Sequence, residues 1–199
     1  INTKQKSKVL DYGCGAGEFV KHIENDFETL GYEPNNSART AASKKIKSAK
    51  ILDSLDAIEN NSLDAITLWH VFEHIENQDE MLEFFRAKLK DNGKLIIAVP
   101  NPTSYDAKYY KDYWAAYDVP RHIFHFSKNG MLKLMSEKNW NVREIKPLLL
   151  DSYYISMLSE KYKKNRFFWL TAIIRGTISN VKAVFNQEYS SLIYIIEKK

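Results

Sequence analysis

The chain has 199 residues, of which 44% are hydrophobic and 27% are charged, and its net charge is +4. This length is enough for one domain with a sizeable core, and the composition is ordinary for a globular protein. The modest charge does not require a nucleic-acid partner, and the single cysteine excludes an internal disulfide and suits a reducing compartment.

The first predicted element is a strand that leads into a glycine-rich turn. Residues 9–17 read Val-Leu-Asp-Tyr-Gly-Cys-Gly-Ala-Gly, and Gly31-Tyr32-Glu33-Pro34 places a second acid where the next strand should end. Glycines let the backbone approach a ligand closely, and a carboxylate at the neighbouring strand end can accept hydrogen bonds from ribose hydroxyls. The pattern therefore predicts a nucleoside-binding crevice.

The spacing of the glycines indicates which nucleoside is bound. Gly13, Gly15 and Gly17 form G-x-G-x-G, whereas the dinucleotide fingerprint is G-x-G-x-x-G. Glu18 occupies the position of the missing third glycine, where its carboxylate would repel a pyrophosphate at the helix N-terminus. A phosphate-free nucleoside such as S-adenosylmethionine is favoured over a nicotinamide dinucleotide, so an oxidoreductase is the weaker alternative.

The remaining elements alternate between short apolar runs and helical stripes, which is typical of a parallel sheet covered on both faces. A helix should follow the capping residues 34–37, and the helix that carries Leu82, Phe85 and Leu89 should end near residues 91–93. Ser127 should cap another helix. The further predicted strands are 50–52, 63–68, 94–99, 140–149 and 189–197.

Four segments in this order resemble class I S-adenosylmethionine-dependent methyltransferases: residues 9–17, 31–34, 62–74 and 89–101. Residues 118–127, Asp-Val-Pro-Arg-His-Ile-Phe-His-Phe-Ser, resemble a segment of a small-molecule branch of that family. The resemblance implies an α/β fold, a Rossmann-like doubly wound, mostly parallel seven-stranded sheet with an antiparallel last strand. About 40 residues separate the last two strands, which implies a helical insertion over 151–187.

The resemblance also assigns the cofactor, S-adenosyl-L-methionine, with S-adenosyl-L-homocysteine as its product. Asp11 would receive the methionine amino group, Glu33 the ribose, and Asp53 the adenine amino group. Alternatively, Asp11 could cap the turn, Glu33 could be a solvated carboxylate at a strand end, and Asp53 could be a surface acid. Trp69 could instead pack in the core. The implied cofactor-binding residues are Asp11, Gly13, Cys14, Gly15, Glu33, Pro34, Asp53, Trp69 and His70.

Residues 101–126 are rich in aromatic side chains without a clean period, and we expect them to form a substrate or lid loop. His122 is the first candidate for a catalytic base, followed by His125 and His70. The alternative is a segment that packs over the sheet with its histidines merely hydrogen-bonded. No metal site is predicted, because neither His70 with His74 nor His122 with His125 forms H-E-x-x-H.

The sequence thus predicts one cytoplasmic methyltransferase domain over residues 1–199 that acts on a small molecule, with oxygen as the expected acceptor atom. A noncatalytic S-adenosylmethionine-binding module is the main alternative. Ile1 is not a start methionine, so we expect an N-terminal segment to be missing. Residues 153–186 combine basic and aromatic side chains, which suits a cover on the sheet, a pocket wall or a dimer face better than a membrane surface.

Overall fold

The computed structural model describes residues 6–199, and seven strands of this part of the chain form one sheet in the order β3-β2-β1-β4-β5-β7-β6. The strands are Lys8–Tyr12 (β1), Glu28–Tyr32 (β2), Lys50–Leu52 (β3), Leu63–Trp69 (β4), Leu89–Pro100 (β5), Trp140–Pro147 (β6) and Ser191–Lys198 (β7). The pairs from β3 across to β5 are parallel, and β7 is antiparallel to both of its neighbours. The predicted fold class is confirmed.

Seven α-helices connect these strands: Glu18–Ile23 (α1), Asn36–Lys45 (α2), Gln78–Lys88 (α3), Tyr105–Tyr110 (α4), Lys128–Glu137 (α5), Asp151–Tyr162 (α6) and Phe168–Asn186 (α7). Side chains before the helices cap their free amides: Asn35 accepts from the amide of Ala38, and Ser127 accepts from that of Gly130. The core lies between the sheet and these helices, around fully buried Leu10, Ile66 and Leu95.

Helix α3 ends at Lys88, earlier than the predicted end near residues 91–93, so that prediction is wrong. Residues 89–93 belong to β5, where the register against β4 shifts between Leu63 and Ala65. A Cβ at Gly93 would lie 3.1 Å from the carbonyl oxygen of Leu63. The glycine therefore permits close approach of two strands at an irregularity, rather than the end of a helix.

The segment 101–126 is more ordered than the predicted loop. It contains α4 and two short 3-10 turns, at Lys111–Tyr113 and Ala115–Tyr117. Tyr110 and Trp114 are almost fully buried in a second apolar cluster with Ile155 of α6. Such short helices give no periodic signal, which is why the sequence shows none.

Helices α6 and α7 form the insertion that the sequence places between β6 and β7. Ser156 and Ser159 of α6 and Ala172 and Ser179 of α7 are buried, whereas α7 also exposes large apolar side chains. Those at least half exposed are Trp169, Ile173, Val181, Val184 and Phe185. No helix within residues 6–199 is long and apolar enough to span a bilayer.

Candidate active site

The glycine turn between β1 and α1 is fixed on one side and open on the other. Gly13, Gly15 and Gly17 have φ values of +75°, +52° and +78°, which favour glycine. The amides of Gly13 and Cys14 donate to the carbonyl of Tyr32 at 2.8 and 2.9 Å. A Cβ at Gly13 would lie 2.6 Å from a methyl carbon of Val71, whereas a Cβ at Gly15 would meet nothing within 4 Å. The open side is therefore above Gly15.

Glu33 lies directly beside this turn. Its carboxylate accepts hydrogen bonds from the amide of Gly15 through Oε2, at 2.9 Å, and from the amide of Asn35 through Oε1, at 2.8 Å. The side chain is buried. Each carboxylate oxygen has two acceptor directions, so each can accept one more hydrogen bond. This geometry leaves a buried, oriented carboxylate at the rim of the glycine turn.

Asp11 precedes the turn in β1, and Cys14 is part of the turn. Asp11 is buried and accepts a hydrogen bond from the hydroxyl of Thr67 at 2.7 Å; burial raises the pKa of its carboxyl group to about 6. Burial, together with the nearby charges of Asp11 and Glu33, raises the pKa of the Cys14 thiol to about 12. The thiol is therefore neutral, so Cys14 has no nucleophilic character at neutral pH.

Pro34 and Asp53 are exposed. Asp53 borders a shallow depression of about 310 Å³ together with Ile51 and Arg39. Glu18 is also exposed, and its carboxylate pairs with Lys45, which lowers its pKa. Because Lys45 balances the charge of Glu18, the predicted repulsion of a pyrophosphate is weaker than the sequence suggests.

Trp69 ends β4 next to the glycine turn. Its ring packs against that of Phe19 in α1, with ring centroids 5.0 Å apart. The indole Nε1 is buried and has no hydrogen-bond partner within residues 6–199. A buried N–H group of this kind usually has a partner, so this one is an exception.

His70 follows Trp69 with a positive φ of 55°. Its Nε2 atom lies 2.7 Å from Oδ2 of Asp151, and its Nδ1 atom lies 3.4 Å from Oε1 of Glu73. Partial burial of the ring opposes the charged form, but the two carboxylates outweigh it and raise the pKa of His70 to about 10. His70 is therefore an imidazolium at neutral pH, and this geometry does not suit the base for which the sequence makes it a candidate.

A cavity of about 300 Å³ lies beside His70, between the segment 115–122 and α6. Its polar lining includes His70, Asp151, Asp118, Arg121 and His122, and its apolar wall includes Ala115, Ala116, Tyr154, Ile155, Leu158 and Tyr162. A volume of this size suits a small ligand. The sequence offers no local signal for the pairing of His70 with Asp151, because the two residues come from distant segments.

The two remaining histidine candidates differ in position. His122 lines the cavity, its Nδ1 atom lies 2.8 Å from the carbonyl oxygen of Ala116, and burial lowers its pKa. His125 is exposed, its Nε2 atom lies 2.9 Å from the carbonyl oxygen of Tyr117, and it is not part of the cavity lining. The structure therefore brings His70 and His122 to one cavity and leaves His125 outside it.

Comparison with known proteins places this geometry in context. A family model described as a methyltransferase domain matches residues 2–145. No curated protein matches the chain significantly.

Solved structures share the fold at low sequence identity. A SAM-dependent methyltransferase from Archaeoglobus fulgidus superposes with a TM-score of 0.62 at 22% identity, over 98% of this chain and 86% of that protein. A protein of Haloferax volcanii in complex with the Trm112 methyltransferase activator gives a TM-score of 0.70 at 14% identity, over 100% and 85%. Geranyl diphosphate C-methyltransferase from Streptomyces coelicolor, bound to Mg²⁺, geranyl diphosphate and S-adenosyl-L-homocysteine, gives 0.64 at 11% identity, over 98% and 74%.

Proposed function

The chain belongs to the class I S-adenosylmethionine-dependent methyltransferases, and from that premise we propose that it methylates an oxygen atom of a small molecule. The acceptor would occupy the cavity beside His70, and the cofactor would lie over the glycine turn. The observation that carries this proposal is that the two halves of the site are adjacent: the glycine turn forms the cofactor half, and the cavity forms the acceptor half. His70 lines the cavity, and Trp69, the residue before it, packs beside the segment that follows the turn.

Three features of the glycine turn support its role in holding S-adenosylmethionine. The space above Gly15 is open, the buried carboxylate of Glu33 has acceptor capacity for two ribose hydroxyls, and the indole N–H of Trp69 lacks a partner within the described residues. Asp11, at the carboxyl end of β1, would favour the cationic amino group of the methionine moiety, directly or through water. When bound, the cofactor supplies an electrophilic methyl group on a sulfonium.

The protein's own task in such a displacement is to align the two reactants and exclude water. In the proposed site, Tyr154, Ile155 and Leu158 of α6 provide an apolar wall, and Asp151 at the start of the same helix holds His70 in place.

A hydroxyl acceptor must lose its proton as the new bond to carbon forms, and His122 has the geometry to take it. A carbonyl oxygen can only accept a hydrogen bond, so the Nδ1 atom of His122 carries the proton that is directed to Ala116. In the neutral ring Nε2 then has a free lone pair, and the ring lines the cavity. A positioned base of this kind contributes about 10²–10⁴ in rate.

The proposal is tested by calorimetric titration with S-adenosylhomocysteine, followed by a product assay with pooled hydroxyl- and amine-bearing small molecules. We expect binding in the micromolar range and release of S-adenosylhomocysteine with hydroxyl acceptors. His122→Asn should retain cofactor affinity while turnover decreases by about 10²-fold or more. A dissociation constant for S-adenosylhomocysteine above about 1 mM, or binding of NAD instead, would overturn the cofactor assignment. Turnover with amines alone would overturn the choice of oxygen.

A further inference from the structure

The side chains of Glu73, His74 and His122 lie together near His70, and none of them belongs to the cofactor half of the site. Glu73 and His74 are in the 3-10 turn Phe72–His74, and His122 follows the 3-10 turn Ala115–Tyr117 in the chain. One ligating atom from each of the three lies within 4.8 Å of the others, and Nε2 of His122 is 3.8 Å from Oε1 of Glu73. This grouping does not follow from the sequence, in which the two histidines are far apart.

Both imidazoles are held in the orientation that metal-binding histidines adopt. The Nδ1 atom of His74 lies 2.8 Å from the carbonyl oxygen of Arg121, and that of His122 lies 2.8 Å from the carbonyl oxygen of Ala116. Because a carbonyl oxygen only accepts, each Nδ1 atom carries the proton, and the lone pair of the neutral ring is on Nε2. Histidines that bind metals almost always donate their other N–H group in this way.

Glu73 supplies the second, independent observation. Its side chain is 1% exposed, and within residues 6–199 neither carboxylate oxygen has a hydrogen-bond partner. The cationic ring of His70 lies nearby, with its Nδ1 atom 3.4 Å from Oε1 of Glu73, but its Nε2 atom pairs with Asp151. A buried carboxylate without hydrogen bonds is costly, and a bound cation would remove that cost.

The backbone already fixes the two segments to each other. The amides of Ile123 and Phe124 both donate to the carbonyl of Glu73, at 3.0 and 3.2 Å. The stretch that follows His122 is therefore tied to the turn that carries Glu73 and His74. Two ligands bound to one tetrahedral zinc ion lie about 3.4 Å apart. A pair of ligating atoms at the 4.8 Å limit would therefore need to approach by about 1.4 Å, and the pair formed by His122 and Glu73, at 3.8 Å, by about 0.4 Å.

We propose that Glu73, His74 and His122 form a binding site for a divalent transition-metal ion, with Zn²⁺ as the best match. Two imidazole nitrogens and one carboxylate oxygen suit zinc, and three protein ligands leave a fourth position open. His122 also lines the acceptor cavity, so the site lies at the cavity wall. The ion and a substrate proton compete for the same Nε2 atom, but metal binding itself does not depend on methyl transfer.

The test uses the full chain, freed of metal with a chelator and titrated with Zn²⁺ against a chromophoric competitor. We expect one ion per chain at micromolar or tighter affinity, and a tetrahedral absorption spectrum with Co²⁺. Glu73→Gln, His74→Asn and His122→Asn should each weaken zinc binding by at least about tenfold. His125→Asn, in the same segment, and His22→Asn, on the surface of α1, should bind zinc as the unmodified chain does.

Failure of the unmodified chain to bind zinc below about 100 µM would overturn the site. Equal weakening in His74→Asn and His125→Asn would also overturn it, because surface chelation rather than a defined ligand set would then explain the binding. His74 is exposed, so its replacement should not impair folding even where that of Glu73 does. If His74→Asn binds S-adenosylhomocysteine as the unmodified chain does, its loss of zinc binding tests the metal site alone and leaves the proposed methyl transfer to its own assay.

Discussion

The carboxylate of Glu33 accepts a hydrogen bond from the amide of Gly15 at 2.9 Å. The contact joins the end of β2 to the turn that follows β1, and these two strands are neighbours in the sheet. Glu33 therefore holds the glycine turn in the absence of ligand and keeps acceptor capacity for the ribose. The same carboxylate would stabilise the turn and bind the cofactor.

Glu33→Ala should weaken S-adenosylhomocysteine binding by roughly 1.5–3 kcal/mol, because hydrogen bonds to a charged acceptor are lost. This corresponds to an increase in Kd of about 10- to 150-fold. Calorimetric titration measures the change in Kd, with Glu28→Ala as the control. Glu28 lies at the other end of β2, where it is exposed and paired with Lys8. An affinity equal to that of the Glu28 variant would show that Glu33 does not bind the ribose.

Gly15→Ala and Gly13→Ala form a matched pair. Both residues have positive φ, but a Cβ would be free at Gly15 and would clash with Val71 at Gly13. Gly15→Ala should lower the free energy of unfolding by only about 1–2 kcal/mol while it weakens S-adenosylhomocysteine binding by at least about tenfold.

Gly13→Ala should be destabilised by more than Gly15→Ala, because the clash adds to the backbone strain. Urea denaturation measures the stability of both variants, and titration measures their affinities. Full cofactor affinity in a folded Gly15→Ala protein would show that the space above this residue is not part of the cofactor site.

The tight turn at the glycines and the carboxylate at the end of β2 can be predicted from the sequence because their determinants are local. The positive φ of Gly13, Gly15 and Gly17 and the position of Glu33 at the end of β2 follow from short motifs in parallel strands. The acceptor half is not predictable in the same way. The contacts of His70 with Asp151, and of Glu73 with His122, join segments that only the folded chain brings together.

The imidazolium character of His70 illustrates this difference. As a candidate base, His70 ranks behind His122 and His125 in the sequence analysis, and the family resemblance also makes it a cofactor-binding residue. The charge state follows from Glu73 and from Asp151, a residue at the start of an insertion to which no motif points. Likewise, the sequence shows many aromatic residues in 101–126 but does not show that Trp114 is buried against α6 and held by Asp106.

Trp69→Phe should weaken S-adenosylhomocysteine binding by about two- to tenfold, because the phenyl ring retains the packing on Phe19 but cannot donate a hydrogen bond. The unliganded variant should lose no hydrogen bond, since the indole N–H has no partner in residues 6–199, so any loss of stability should come only from the smaller ring. Titration and urea denaturation measure the two effects. Trp169→Phe, on the exposed surface of α7, is the control, and equal affinities of the two variants would contradict the prediction.

Asp106→Ala should destabilise the fold by roughly 3–5 kcal/mol. The buried carboxylate accepts hydrogen bonds from Trp114 Nε1 at 2.8 Å and from the hydroxyls of Ser179 and Ser190 at 2.7 and 2.6 Å. Its removal leaves three buried donors without an acceptor and disconnects α4 from α7 and from the residue that precedes β7. Urea denaturation against Asp112→Ala, an exposed neighbour in the same segment, measures the loss, and similar stability of the two variants would rule out this anchoring role.

The affinity for S-adenosylhomocysteine should depend on pH through Asp11. Burial raises the pKa of this carboxyl group to about 6, so in the free protein it is protonated below that pH and charged above it. A cationic amino group on the ligand favours the charged form, so binding must release the proton at low pH. We therefore expect affinity to be constant above about pH 7 and to fall about tenfold at pH 5.

Asp11→Asn provides the matched control for this pH dependence. The amide retains an acceptor for the hydroxyl of Thr67 but does not titrate, so its affinity should be low and independent of pH over the same range. Calorimetric titrations of both proteins between about pH 5 and pH 7.5 separate Asp11 from other titrating groups. If the affinity changes with pH by the same amount in both proteins, a group other than Asp11 is responsible. If the affinity of the unmodified chain does not change with pH, the ligand's amino group does not interact with Asp11.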